Sequence, residues 1–249
     1  MKIPIRKKWG QNFLIDPNII RKIISVLNPD KNQTILEIGP GKGALTKILS
    51  KMNLDLHAVE IDPMLCDYLK EEKINNVKIY NEDILKFDCS KIPENYMIIG
   101  NLPYNISTPI LFKFMEELKW NKMVVMLQKE VAERIVSNHG NKKYGKISIM
   151  MQSFFDVNLE FNIPNTVFNP QPKITSSLLL IKPKKIKNTE YKKLKIIVEN
   201  AFKHRRKKLA HNLKNIIEDE QYNEIKDKRA EQLSVADYQK LSHYIIDYV

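Results

Sequence analysis

The chain has 249 residues, 43% hydrophobic and 28% charged, and its 41 Lys and Arg against 29 Asp and Glu leave a formal charge of +12. That composition fits a soluble globular protein with room for one large α/β domain and a small appendage, and no apolar run approaches the ~20 residues that cross a bilayer. Cys66 and Cys89 fit neither a zinc spacing nor a disulfide framework, and the N-terminus lacks the apolar stretch of a secretory signal, so a cytoplasmic protein without membrane association is expected.

The positive charge is uneven. Met1–Lys22 carries six Lys and Arg against one Asp, and Lys184–Val249 carries 16 basic and 10 acidic residues. Such a surplus favours a polyanionic partner through counterion release, although lysine-rich solvated surface has the same composition. Along the chain, Thr34–Ile38 reads as a buried strand, and a Gly-rich turn then opens a helix running to about Ser50. Leu54–Ile61 reads as a second strand, and Asp62-Pro63 starts the next helix with Pro in its first position. Val77–Tyr80 and Tyr96–Gly100 read as strands. A hydroxyl cap from Ser107-Thr108, just before Pro109, is expected to start another helix. Met123–Leu127 is a predicted fifth strand and Lys129–Val136 a helix, while Val157–Ile163 and Ser176–Ile181 could complete the sheet as a hairpin. Composition changes at Lys182-Pro183-Lys184-Lys185, and no Gly or Pro follows Pro183. The tail reads as helices over Glu190–Lys203, Arg205–Ile217 and a final pair within Glu220–Tyr248. The pattern gives an α/β domain over 1–183 and a basic, all-helical domain over 184–249.

Three places combine residue types that bear chemistry. In Glu37-Ile38-Gly39-Pro40-Gly41-Lys42-Gly43, between strand and helix, the absence of Cβ atoms at Gly39 and Gly41 lets backbone approach a ligand. Glu60 ends the next strand, 21 positions after Gly39, where a carboxylate can accept both hydroxyls of a ribose. Gly39-x-Gly41-x-x-Ala44 also satisfies the loose dinucleotide fingerprint, so NAD stays open on this pattern. Asp83, just after the third strand, either caps a turn or accepts from the N6 amine of a bound adenine. Asn101-Leu102-Pro103-Tyr104 falls at the end of the fourth strand, where ligands of open α/β sheets bind. An adenine N6 lone pair is delocalised into its ring and is a poor nucleophile. The Asn101 side-chain oxygen and the Leu102 carbonyl can accept its two N–H groups as the nitrogen becomes tetrahedral, which helps more in the transition state than before it. Pro103 stiffens the loop, and Tyr104 offers a ring on which a base can stack.

Through these residues and others, the chain resembles the ribosomal RNA adenine-N6 dimethyltransferases along nearly its whole length. The resemblance is to the bacterial small-subunit branch, whose loss gives kasugamycin resistance. It is carried by Gly10–Leu14 (GQNFL), Leu36–Gly43 with Ala44–Thr46, Ala58–Asp62, Asn101–Thr108 (NLPYNIST), Gln128–Ala132, Tyr144–Ser148, Phe168–Lys173 and the run His204-Arg205-Arg206-Lys207-Lys208 within Ala201–Leu213. It implies a Rossmann-like, S-adenosylmethionine-dependent methyltransferase domain with a small all-helical C-terminal domain. It implies that Asn12 and Leu14 help close the cofactor pocket, that Gly39 abuts the methionine end, and that Glu60 and Asp83 hold ribose and adenine. Asn101 then serves both cofactor and target base, Tyr104 stacks on the target, and Phe168 covers its other face, with no metal required. The implied substrate is two adjacent adenosines in the 3′-terminal hairpin loop of 16S rRNA, met by a monomer within a pre-30S particle. Trp9 and His139 depart from the residues common in relatives. Enzymes acting on large-subunit rRNA are the nearest alternative, disfavoured by Leu102 and the continuation Asn105–Thr108. A protein-glutamine methyltransferase shares the Asn-x-Pro-Tyr loop, and a non-catalytic ribosome-assembly factor shares the fold.

Overall fold

The alternation of apolar runs and helical patterns folds into a mostly parallel sheet in a computed structural model, which describes residues 4, 6, 9–74, 76–184 and 188–245. A two-residue strand, β1 (Phe13–Leu14), precedes helix α1 (Pro17–Leu27), and the sequence pattern marks neither. Its start repeats the device seen at 62–63. Asp16 caps the helix by accepting from Asn18 and Ile19 N–H at 2.8 and 3.0 Å, with Pro17 in the first turn. Strand β2 (Thr34–Ile38) leads into the glycine turn, and regular helix α2 is confined to Thr46–Leu49 rather than opening directly from the turn. Gly41 and Gly43 sit at φ +58° and +78°, which no α-helix contains.

Strand β3 (Asp55–Glu60), helix α3 (Pro63–Glu71), strand β4 (Val77–Asn81) and strand β5 (Tyr96–Asn101) follow as expected. Helix α4 (Ser107–Glu116) corrects the expected hydroxyl cap. Ile106 is its N-cap with no side-chain bond, and the buried Ser107 hydroxyl turns back to the Tyr104 carbonyl at 3.4 Å. Pro109 lies in the first turn, where its missing N–H has no helical partner to lose. Strand β6 (Trp120–Gln128) is longer than expected, and helix α5 covers Lys129–Ile135. Helix α6 (Lys146–Phe154), strands β7 (Phe155–Ile163), β8 (Phe168–Asn169) and β9 (Ser176–Pro183), and helices α7 (Asn188–Ala201), α8 (Leu209–Leu213) and α9 (Val235–Ser242) complete the described chain.

Among the described residues seven strands form one sheet in the order β4-β3-β2-β5-β6-β9-β7, and β1 pairs with β8 in a separate ribbon. Strands β4 to β6 run parallel, and β9 lies antiparallel to β6. Strand order reverses beside β2, which creates the crevice at the carboxyl ends where such sheets bind ligands. Ile38 and Gly100 are opposite each other there, and a Cβ at Gly100 would lie 2.5 Å from the Ile38 carbonyl oxygen. One face of the sheet is filled by Ile20, Ile23, Ile24 and Leu27 of α1 against Ile35, Leu56, Ile99, Val124 and Leu178.

The chain packs as two compact units, Met1–Ala132 with Asn158–Pro183, and Glu133–Val157 with Lys184–Val249. The helical unit thus takes in α6 as well as the tail. Its helix expected over Arg205–Ile217 shrinks to α8, because Lys208 is extended and bridges Arg229, and Leu209 N–H donates to the Lys228 carbonyl at 2.9 Å. The basic run His204–Lys208 therefore lies outside regular helix, with residues 202–206 in turns. Within the final pair expected over 220–248, α9 is the only regular helix among the described residues, preceded by single 3-10 turns at Asp219–Tyr222 and Ala230–Gln232. Residues 185–187 and 246–249 lie outside the described residues.

Candidate active site

Four strand ends and the N-terminal segment converge on one cleft. The glycine turn after β2 supplies Gly39 and Gly41, β3 supplies Glu60, the turn after β4 supplies Asp83, and β5 delivers Asn101, Leu102 and Tyr104. Asn12 lines it from the segment before β1. A second recess is lined by Asn12, Leu14, Glu37, Gly39, Gly41 and Asn101 among others, so several residues face both spaces.

Glu60 is buried, and each of its oxygens is held by backbone. Oε2 accepts from Gly41 N–H at 3.1 Å and Oε1 from Asp62 N–H at 3.0 Å. Burial raises its pKa, while the N–H groups of Asp62 and Gly41 oppose the rise. Each oxygen keeps a further lone pair, the donor-free pair of acceptors that a vicinal diol needs. Gly39 and Gly41 have φ of +64° and +58°, and a Cβ on Gly41 would lie 2.9 Å from the Phe13 ring. Backbone and ring close on each other here with no room for a side chain. Asp83 lines the cleft and fixes its turn through Oδ1, which accepts from Leu85 N–H at 2.9 Å.

Asn101 is the most telling residue. Its Nδ2 donates to the Asn12 carbonyl at 2.8 Å, and a carbonyl partner dictates which end of the amide faces it. Oδ1 must then point away, and it is buried with no partner among the described residues. Leaving such an acceptor unpaired costs about 1–3 kcal/mol, a cost expected where a ligand donor completes the site. Leu102 follows with its N–H on the Met126 carbonyl at 3.0 Å, which fixes the backbone of the loop. The Tyr104 hydroxyl is 2.6 Å from Ser176 Oγ on β9, and burial raises its pKa, so it stays a neutral phenol in the physiological range.

Asn12, Gly39, Gly41, Glu60, Asp83, Asn101, Leu102 and Tyr104 thus share the cleft, and Leu14 faces the adjoining recess. Phe168 does not join them. The β1–β8 ribbon sets it opposite Leu14, but its ring is 2% exposed and packs in the core with Ile163 and Val167. Sequence reasoning missed Gln11, Asp62 and Ser176. Buried Asp62 caps α3 through Met64 N–H at 3.1 Å and accepts from Gln11 Nε2 at 2.9 Å, with Arg6 Nε 3.7 Å away. This ties the N-terminal segment across the cleft. An Asp before Pro63 signals a helix cap, and nothing local signals that its second oxygen holds a residue 51 positions earlier.

The residues fit a nucleoside cofactor bearing an amino-acid tail: a diol acceptor, a Cβ-free cradle, and unpaired buried acceptors in the adjoining recess. The fold and this site define an S-adenosylmethionine-dependent methyltransferase. The family described as ribosomal RNA adenine dimethylase matches residues 3–247. A relative named ribosomal RNA small subunit methyltransferase A, from Francisella tularensis subsp. novicida, is 42% identical over 98% of both chains. Among solved structures, a dimethyladenosine transferase from Plasmodium falciparum superposes with a TM-score of 0.80 at 25% identity, over 92% of this chain and 95% of that one. The 23S rRNA methyltransferase ErmE gives 0.74 at 20% identity over 94% and 99%, a likeness of fold alone. The chain belongs to the ribosomal RNA adenine dimethylase family and is an rRNA methyltransferase that uses S-adenosylmethionine. The NAD reading of the glycine pattern is thereby set aside. Among the described residues no helix is long and apolar enough to cross a membrane.

Proposed function

We propose that the protein transfers two methyl groups to N6 of each of two adjacent adenosines in the 3′-terminal hairpin loop of small-subunit rRNA. The observation that carries this reading is the buried, unpartnered Asn101 Oδ1 beside Tyr104. The small-subunit target follows the name of the 42% identical relative, and Leu102 with Asn105–Thr108 supports it over a large-subunit target. The protein acts as a cytoplasmic monomer on a pre-30S particle. Residues 1–183 hold cofactor and target base, and the helical residues 184–249 help to hold RNA.

When bound, S-adenosylmethionine supplies a methyl group on a sulfonium that is already a strong electrophile. The protein's task is to position and polarise the amine. The target base leaves its stack and lies on the Tyr104 ring, which Ser176 holds in place. Asn101 Oδ1 and the Leu102 carbonyl accept the two N6 hydrogens, drawing the nitrogen toward tetrahedral geometry and freeing its lone pair. No general base is needed, because the cationic product amine loses its proton readily. Glu60 holds the ribose, Asp83 the cofactor's adenine amine, Gly39 and Gly41 its methionine end, and Asn12 and Leu14 close the pocket.

Methyl-labelled cofactor incubated with pre-30S particles, mature subunits of both sizes and protein extract, followed by nucleoside mass spectrometry, tests the reading. Dimethyladenosine in small-subunit rRNA is the expected product. Label confined to large-subunit rRNA, or to glutamine in protein, would overturn it.

A further inference from the structure

The orientation of the Asn101 amide is set from outside its own loop, by the carbonyl of Asn12. Asn12 lies one residue before β1, and on its other side Gln11 braces the N-terminal segment against the start of α3. Gln11 Nε2 donates to Asp62 Oδ2 at 2.9 Å, and its Oε1 accepts from Arg6 N–H at 2.8 Å. A carboxylate only accepts, so these two partners fix which end of the Gln11 amide faces which. Asp62 is itself held firmly. It is fully buried, its Oδ1 accepts from Met64 N–H at 3.1 Å, and its own N–H donates to Glu60 Oε1 at 3.0 Å. Gly10, at φ +63°, turns the same segment onto the catalytic loop, where a Cβ would lie 3.5 Å from Asn105 Oδ1.

We propose that Gln11 is a positioning residue for methyl transfer, holding the Asn12 carbonyl where it turns Asn101 Oδ1 toward the target amine. The path runs from α3 through Asp62, Gln11 and Asn12 to Asn101, each step a hydrogen bond or a single peptide unit. With the Asn12 carbonyl displaced, the Asn101 amide is free to turn about its last side-chain bond. Its N–H groups then face a nitrogen that itself offers N–H groups, and the transition state loses its acceptor. The β1–β8 ribbon holds the chain just after Asn12, so loss of the brace loosens one flank of the segment and leaves the fold in place. A displacement of about 1 Å in such a constellation costs on the order of 10²-fold in rate.

Since this rests on the part given to Asn101 above, single-turnover rates are compared for Gln11→Met, Asn101→Ala and the double variant. Each is measured on small-subunit rRNA at saturating S-adenosylmethionine. Methionine keeps the length of the side chain and lacks both hydrogen bonds. Gln11→Met should slow the step by about 10–100-fold with rRNA affinity unchanged. In the Asn101→Ala background it should change the rate by less than about twofold, because the group it positions is gone. Asp62→Asn reaches the same brace from the other side. It keeps the oxygen that caps α3 and sets an amide N–H against Gln11 Nε2, so it should slow methylation to a similar degree. Adding Gln11→Glu restores an acceptor opposite that donor and another for Arg6 N–H, and should return the rate to within about threefold of wild type. A near-normal rate for Gln11→Met, equal slowing with and without Asn101, or no recovery in the swapped pair would overturn the proposal while the role of Asn101 stands. The swapped pair decides if Gln11→Met does not fold. A near-normal rate for Asn101→Ala would sink that role, and the proposal with it.

Discussion

The carboxyl edge of the sheet and the run Lys203–Lys208 are both short stretches dense in polar side chains, and they use them in opposite ways. At the sheet edge, side chains are buried or half-buried and fixed by backbone, yet among the described residues Asn101 Oδ1 and Glu37 Oε2 have no hydrogen-bond partner. In the basic run every side chain is exposed, and those that look most available are partly spent inside the fold. Arg205 Nη2 donates to the carbonyls of Lys142 and Tyr144 at 2.8 and 3.4 Å, and Lys208 pairs with Asp227 at 2.8 Å. Capacity for chemistry is therefore read better from unpaired buried atoms than from the density of charge.

The sheet edge is tightest where Gly100 faces Ile38. Gly100→Ala should cost about 3 kcal/mol or more, since a Cβ 2.5 Å from the Ile38 carbonyl oxygen meets backbone that cannot turn aside. Thermal denaturation checks it, and a variant as stable as wild type would mean that β2 and β5 pair less closely than described. Glu60→Ala should leave the fold intact and weaken S-adenosylmethionine by about 1–3 kcal/mol in calorimetry, the cost of orphaning ribose hydroxyls in the site. Unchanged affinity would remove Glu60 from the cofactor site.

The basic run gives smaller effects of two separable kinds. Arg205→Ala should lower stability by about 1 kcal/mol, because its hydrogen bonds to backbone disappear. Arg206→Ala with Lys207→Ala should leave the melting temperature unchanged and make the salt dependence of rRNA binding shallower, by roughly one unit for each phosphate no longer neutralised. If the Arg205 variant instead shifts only the salt slope, its side chain belongs to the RNA and not to the loop at 142–144.

Most of the sheet and much of the site could be read from the sequence because their signals are local. Strands buried on both faces are continuous apolar runs, and Gly39, Glu60, Asp83 and Asn101 each follow or end a strand directly. What escaped depends on distant partners. The segment 17–27 became legible as a helix only through its packing on the sheet, although Asp16-Pro17 repeats the signal of Asp62-Pro63. Gly100 is demanded by the neighbouring strand, Asp62 holds Gln11 across 51 positions, and Phe168 is drawn into the core by Leu14 and Val167. Helical periodicity misread Arg205–Ile217 because the bridge from Lys208 to Arg229 holds that backbone extended.

The central claim is that the unpaired Asn101 Oδ1 acts on the target amine in the transition state. Single-turnover methylation of small-subunit rRNA by Asn101→Ala, at saturating cofactor and RNA, tests it most directly. The rate should fall by about 10²–10³, as when one preorganised transition-state partner is removed, with rRNA affinity unchanged. A near-normal rate would place the chemistry elsewhere in the cleft.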